Sequence, residues 1–411
     1  MNVSSKELPR IDSNFFVGNR AKLLAELPDN ATVVLAGHSR MQRSRDTMYP
    51  FRQESNFWYL TGVKEPEYVL VLTQKESFLI SPNRSNVHEV FEGAASADEL
   101  INGSGVTAVY PEREGWQKIR AIGEDTNTIY TKLPAKTYYG PAGLQLNGAG
   151  YRLIQKLKRR VSVELSDVTP ALTKLRLIKQ PEELKALQQA IAITSEAFAC
   201  VSGQLDTYSN EREIAADLTH QYLRSGSVHG YEPIVAGAGN ACTLHYVRND
   251  QPLEDNHLLL IDSGAEFHGY SADITRTLAI GKPTSRQATV HQAVVDLQRQ
   301  AFGLFRPGIT LKEVEKTFLQ YMTASLRQLS LISNEDETRR YYPHALSHFL
   351  GLDVHDVGDS DTPLAPGMVL TVEPGIYVPE EGIGVRIEDN ILVTDDGYEL
   401  LTGKCDQPAL K

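Results

Sequence analysis

Residues 258–280 read LLLIDSGAEFHGYSADITRTLAI, and they decide the class of the C-terminal half. Leu258–Asp262 is a short apolar run of strand length that ends in a carboxylate. Tyr270–Ile280 is a second β-rich run with Asp273 inside it, and Gly264 and Gly269 punctuate the link between them. Two more such runs follow, Val369–Glu373 (VLTVE) and Val385–Glu388 within GVRIE, each closing on a glutamate, and Ile391–Thr394 comes after. Four amphipathic stretches at 181–204, 209–226, 285–305 and 311–329 carry helical spacing. The first opens with Pro181, Glu182 and Glu183, residues suited to a helix start. Helices and strands come in blocks, so the expectation is α+β with a mixed or antiparallel sheet.

Upstream, short β-rich runs at Thr32–Ala36, Tyr68–Thr73, Phe78–Ser81, Val106–Tyr110 and Thr128–Tyr130 alternate with helix-compatible segments at Ala95–Ile101 and Glu114–Ile122. This implies a smaller α/β domain. A hinge with a short helix at 167–179 (DVTPALTKLRLIK) puts the boundary near 168, giving domains 1–168 and 169–411. The 411 residues suit two or three domains at about 100–200 residues each. Lys plus Arg number 41 against 52 Asp plus Glu, a net charge of −11. That balance argues against nucleic acid as a partner. No run approaches the length of a membrane span, and the first residues lack the pattern of a secretory leader. Three scattered cysteines, Cys200, Cys242 and Cys405, form no disulfide framework or CxxC site, which points to a reducing cytoplasm.

One acidic residue at a strand end is an ordinary turn or cap. Four of them, Asp262, Asp273, Glu373 and Glu388, flank apolar strands where carboxylates are rarely buried unless paired or metal-bound. Histidines add to this: His344, His348 and His355 fall within PHALSHFLGLDVHD, residues 343–356. The i, i+4 spacing of His344 and His348 would place both on one helical face, although the glutamate of a zinc HExxH helix is missing. If the four carboxylates converge, they cannot all stay ionised unaided. Two divalent cations would balance them, and an oxygen-rich set with one imidazole suits Mn²⁺, Co²⁺, Fe²⁺ or Zn²⁺. Paired metals of this kind point to hydrolysis.

These runs, IDSGAEFHGYSADITRT (261–277), HALSHFLGLDVHDVG (344–358), GMVLTVEPGIY (367–377) and GIGVRIEDN (382–390), resemble the dinuclear metallopeptidases of the pita-bread fold. Within that group the chain is similar to the Xaa-Pro aminopeptidases, and YPFRQESNFWYLTG (49–62) resembles their N-terminal domain. The resemblance implies an α+β pita-bread catalytic domain behind a smaller α/β domain that serves oligomerisation and access to the active site. It implies metal ligation by Asp262, Asp273, His348, Glu373 and Glu388, with Mn²⁺ first among the candidate ions. Asp273 and Glu388 would bridge the two metals, and Glu373 would shuttle the proton of a bridging hydroxide. His344 and His355 would stand close to the metals, and His355 would donate to the developing oxyanion. His245 in CTLHY, Tyr377 and Arg386 would line the substrate side. The implied partners are peptides with proline second, and a second copy of the chain in a homodimer or homotetramer.

Some residues carry a bland reading beside this one. Arg386 equally suits a structural salt bridge to a carboxylate. Asp46 in RDTMYP matches an acid that approaches a neighbouring subunit's pocket, and equally a solvated loop charge. Phe91–Ala95 departs from the Trp-Phe-Gly-Arg-Arg-like stretch usual in the bacterial enzymes. The short link VPEEGI (378–383) would leave its side of the site open. Trp58 and Tyr59 read as core, and Cys242 as a small buried hydrophobe. His38, His88, His220, His229, His257, His268 and His291 match no ligand position. Four alternatives stand beside the leading one, of which a creatinase-like, metal-free hydrolase would be expected to lose ligands that this chain keeps. A dipeptidase (prolidase) shares all five ligands. A methionine aminopeptidase would have no use for residues 1–168. A non-catalytic binding protein on the same fold would be expected to lose a ligand.

Overall fold

A computed structural model describes residues 11–134 and 146–403, and the chain divides into two compact units, Met1–Leu175 and Arg176–Lys411. Cys405 and the first residues of the leader reading lie outside the described residues.

The N-terminal unit is built on a six-stranded sheet in the order Ala108–Tyr110, Ser77–Ile80, Val69–Leu72, Thr32–Ala36, Thr128–Thr131, Glu164–Asp167. The Thr32–Ala36 and Val69–Leu72 strands pair antiparallel, as do Val69–Leu72 and Ser77–Ile80, while the outer pairings are parallel. Central positions such as Val34, Val71, Phe78 and Ile129 are fully buried and meet Trp116, Ile119 and Leu157 from the helices. Trp58 and Tyr59 are core, on the Ser55–Thr61 helix. Glu54 and Gly62 cap that helix, Asp12 caps the Ser13–Ala25 helix, and the Ala149–Arg160 helix buries Leu153, Ile154 and Leu157 on one face.

The C-terminal unit is α+β, with helices at Pro181–Gly203, Glu211–Arg224, Ser285–Phe302 and Leu311–Gln328. Capping boxes open each: Gln180 with Glu183, Asn210 with Glu213, Thr284 with Gln287 and Thr310 with Glu313. Each box satisfies backbone donors the helix itself cannot. Its strands pair antiparallel throughout the described residues: Ile234–Gly237 with His257–Ser263 with Ile274–Ile280, Val369–Val372 with Asp389–Val393 with Tyr398–Leu400, and Gly375–Val378 with Ile383–Arg386. The apolar faces of the last two long helices, through Val290, Val294, Val314, Phe318 and Met322, share one core with Leu370, Val385 and Ile391. Each fully buried aliphatic or aromatic side chain there contributes about 1.5–3 kcal/mol.

Two expectations need correction. Residues 270–280 are not one strand: pairing stops after Ser271 and resumes at Ile274. The gap falls on Ala272 and Asp273, because the chain folds back so tightly that a Cβ on Gly264 would lie 1.7 Å from the Ala272 carbonyl oxygen. Nor do His344 and His348 share a helical face. Residues 343–350 run extended beside the Val369–Val372 strand, where the Leu346 and His348 carbonyls accept from the Glu373 and Thr371 amides at 2.9 and 3.0 Å and the Leu350 amide bonds the Val369 carbonyl. Pro343 supplies no N–H and disfavours helix before it.

Candidate metal centre

The break at Asp273 turns its side chain out of the sheet, and it is held open by Asn390. The fully buried Asn390 amide donates to the Asp273 carbonyl at 2.5 Å and accepts from the Asp273 amide at 3.3 Å, replacing a strand partner. Asp262 sits in register with Thr275 across the neighbouring pair, and Thr275 bridges to Glu388. The Arg276 guanidinium fixes that corner by donating to the Glu388 carbonyl at 2.6 Å and pairing with Asp389 at 2.7 Å.

One ligand atom each from Asp273, His348 and Glu388 lies within 4.8 Å of the others. Glu373 joins them: His348 Nε2 stands 3.4 Å from Asp273 Oδ2 and 3.5 Å from Glu373 Oε1. Asp262 belongs to the same group through Tyr231, whose hydroxyl donates to Asp262 Oδ1 at 2.6 Å or to Asp273 Oδ1 at 2.5 Å. The donor set fits divalent metal on two observations. Glu388 Oε2 accepts from Thr275 at 2.7 Å, but its buried Oε1 has no hydrogen-bond partner. His348 Nδ1 lies 3.0 Å from the Phe349 carbonyl, which fixes a proton on Nδ1 and leaves Nε2, turned to the carboxylates, as the nitrogen a cation would take in place of a proton.

The electrostatics express the crowding of like charges. Burial and the neighbouring carboxylates push Glu388 and Asp262 up, with Arg386 opposing in both. Burial lifts Glu373 to about 7 against the pull of His348. Burial works against a charged His348, yet its bond to Asp273 and the charge of Glu373 outweigh this and raise it to about 9. In effect the protein holds protons where cations belong.

The remaining candidates surround this cluster. His344 is depressed to about 3 by burial and by Arg386, so it is neutral, and its Nε2 lies 2.9 Å from the Tyr377 hydroxyl. His355 packs edge-on to His348 with ring centroids 4.4 Å apart. Burial lowers its pKa, and the charges of His348 and His245 bear on it. Arg386 pairs with Asp262 at 2.5 Å, donates to the Tyr377 hydroxyl at 2.8 Å, and reaches Thr275 Oγ1 at 3.2 Å. It is thus a carboxylate partner that also ties Tyr377 to the cluster. Tyr377 is raised to about 12 by burial. His229 and His291 bond Thr219 and the Thr277 carbonyl and stay clear of the cluster. Cys200 and Cys242 are free thiols. Sequence reading missed Tyr231, Asn390 and Thr275. Tyr231 has no local signal to set it apart from the chain's 18 tyrosines, whereas Asn390 lay two residues past a singled-out glutamate.

Residues 185–395 match metallopeptidase family M24, and residues 16–130 match the aminopeptidase P N-terminal domain. The chain belongs to metallopeptidase family M24. Within M24 it falls in the Xaa-Pro aminopeptidase branch. It is 34% identical to the Xaa-Pro aminopeptidase of Haemophilus influenzae, covering 96% of this chain and 95% of that protein. It is 33% identical to the Escherichia coli enzyme, covering 96% of each. Among solved structures, E. coli aminopeptidase P with the inhibitor Pro-Leu superposes with a TM-score of 0.86 at 31% identity, covering 98% of this chain and 97% of that one. This M24 chain is therefore a hydrolase with the pita-bread catalytic fold behind an aminopeptidase P N-terminal domain.

Proposed function

We propose that this M24 enzyme removes the N-terminal residue from peptides whose second residue is proline, using two divalent metal ions. The observation that carries the reading is the convergence of Asp273, His348, Glu388 and Glu373 around a buried Glu388 oxygen without a partner. The relatives named Xaa-Pro aminopeptidase support the choice of substrate. Asp262, Asp273, His348, Glu373 and Glu388 would hold the two ions. Mn²⁺ is the first choice, and Co²⁺, Zn²⁺ and Fe²⁺ suit the same donors. Bound ions supply Lewis acidity and a lowered pKa to water. The chain's own residues do the rest. Glu373 holds a proton at its carboxylate and delivers it to the leaving proline nitrogen. His355, neutral and N–H bearing, donates to the carbonyl oxygen as charge develops on it. His344 steadies the Tyr377 hydroxyl, and His245, Tyr377 and Arg386 shape the substrate side.

Proline selectivity has a physical basis. The bond before proline is a tertiary amide with no N–H, so a cleft that grips backbone amides gains nothing there. Recognition must come from ring shape, which aromatic and imidazole walls provide.

Domains 1–168 and 169–411, a cytoplasmic location and a homodimer or homotetramer complete the reading. Val87, Val90 and Phe91 (80% exposed) lie at i, i+3 and i+4 of the Asn86–Glu92 helix, and Arg40 beside exposed Met41 pairs with Glu92. This apolar face supports self-association through the N-terminal unit, and Asp46 is exposed on the adjoining turn.

The deciding experiment strips metal, restores Mn²⁺, and compares an Xaa-Pro dipeptide with an Xaa-Pro-Yaa tripeptide at equal concentration. Faster release of the first residue from the tripeptide is expected. Cleavage confined to the dipeptide would make the enzyme a prolidase.

A further inference from the structure

Glu211 opens the Glu211–Arg224 helix and is 0% exposed. A buried carboxylate demands strong partners, and this one draws all of its side-chain donors from a single segment. Its Oε1 accepts from the Gly237 amide and the Asn240 side-chain amide, both at 2.9 Å. Its Oε2 accepts from the Tyr246 hydroxyl at 2.8 Å and the Gln251 amide at 3.0 Å. Its own amide bonds back to the Gln251 carbonyl at 3.0 Å. Residues 237–251 are thus clamped at both ends and in the middle by one side chain.

The segment needs such a clamp. Ala238 and Asn249 hold φ near +48° and +47°, the left-handed region that costs non-glycine residues about 1 kcal/mol or more. The segment also has little room: a Cβ on Gly384 would stand 2.6 Å from the Ala241 Cβ, so the chain lies directly on the hairpin that carries Tyr377 and Arg386. Within it, neighbouring side chains divide their work. Tyr246, 8% exposed, points inward and packs with Ala241 and Tyr377. His245 is exposed, near enough to His344 and His355 for its charge to bear on both.

We propose that Glu211 is the positioning residue of the substrate side: by gathering Gly237, Asn240, Tyr246 and Gln251 on one carboxylate, it sets where His245 meets the bound peptide. The inference rests on the substrate-side reading of His245 made above. The chemistry demands glutamate. Glutamine has one carbonyl oxygen and one NH₂, so its NH₂ would confront two donors. Aspartate is a methylene too short to reach all four.

The test uses the Mn²⁺-loaded enzyme and Ala-Pro-Ala. Glu211→Gln is expected to raise KM about tenfold with kcat within about threefold, the pattern of lost binding rather than lost chemistry. His245→Ala raises KM similarly, and the double variant is no worse than His245→Ala alone, because coupled residues are non-additive. Hydrogen exchange at the Gly237 and Gln251 amides quickens in Glu211→Gln. Should that variant not fold, Tyr246→Phe removes a single donor and raises KM about threefold with the same non-additivity. Additive effects in the cycle, or unchanged exchange and KM, overturn the proposal alone. An unchanged KM in His245→Ala overturns the substrate-side reading of His245 and the proposal with it.

Discussion

Buried polar groups of the N-terminal unit and the carboxylate cluster of the C-terminal unit are satisfied in opposite ways. In the N-terminal unit such groups are spent on backbone. Arg20, 3% exposed, donates to the Leu60, Ser104 and Gly105 carbonyls at 2.6–2.9 Å, so one guanidinium closes the C-terminal ends of two helices. Gln53 accepts from the His38 and Glu54 amides and donates to the Val63 and Glu65 carbonyls. In the C-terminal unit, carboxylates gather on one another around an interrupted strand, and a Glu388 oxygen is left over. A protein tolerates that arrangement only when something outside the chain balances the charge. Buried polarity that satisfies the backbone is scaffold; buried polarity that satisfies nothing in the chain is a site.

Substitutions should separate the two kinds sharply. Asp273→Asn removes a proposed metal ligand, and turnover of a Xaa-Pro-Yaa tripeptide should fall at least about a thousandfold. Circular dichroism should show a folded protein, with metal-free melting equal to or above that of the parent because a buried like charge has gone. Retained turnover would break the comparison on the site side.

Arg20→Ala should behave in the converse way. Loss of three charge-assisted bonds to buried carbonyls should cost about 3 kcal/mol in urea unfolding, with kcat of the folded fraction unchanged. A loss of kcat without a loss of stability would show that the N-terminal scaffold reaches into catalysis.

The pH dependence of metal-free melting gives a subtler test. Glu373 is raised from 4.5 to about 7, so the stability it lends while protonated is lost as pH climbs through 7. His348 is raised from 6.5 to about 9, and its contribution is likewise lost as pH climbs through 9. His344, depressed from 6.5 to about 3, works the other way only below about pH 6.5, so melting should fall between about pH 6.5 and about pH 9. Added Mn²⁺ should raise melting most at the alkaline end, where the ligands are already deprotonated. Differential scanning calorimetry with and without Mn²⁺ would check this; a metal-free curve rising with pH would contradict it. The smallest effect belongs to Phe91→Ser, expected to move stability by less than about 0.5 kcal/mol. It should shift the elution volume toward a smaller assembly if this exposed face joins copies of the chain.

Much of the molecule was legible from residue order. Thr32–Ala36 is a strand to the residue, as its composition predicts, and the helices that begin at Pro181, Ser285 and Leu311 begin where the amphipathic periodicity does. Those signals are local, carried by neighbours a few positions apart. The strand break at Asp273 and the extended path of His344–His348 were not legible, because each depends on a partner far along the chain: Asn390 for the first and the Val369–Val372 strand for the second. Tyr231 and Glu211 escaped for the same reason.

Residue order by itself therefore determined the classes of element, the acidic and histidine residues that carry chemistry, and the resemblance to a dinuclear peptidase. Periodicity and caps act over single turns, and ligand types are written in the side chains themselves. Only the tertiary structure decided which oxygen is left unsatisfied, which histidine nitrogen faces the carboxylates, and which glutamate holds the segment bearing His245. Those outcomes depend on distances between groups brought together from remote parts of the chain, and burial there turns each unmatched donor or acceptor into a cost that only correct placement removes.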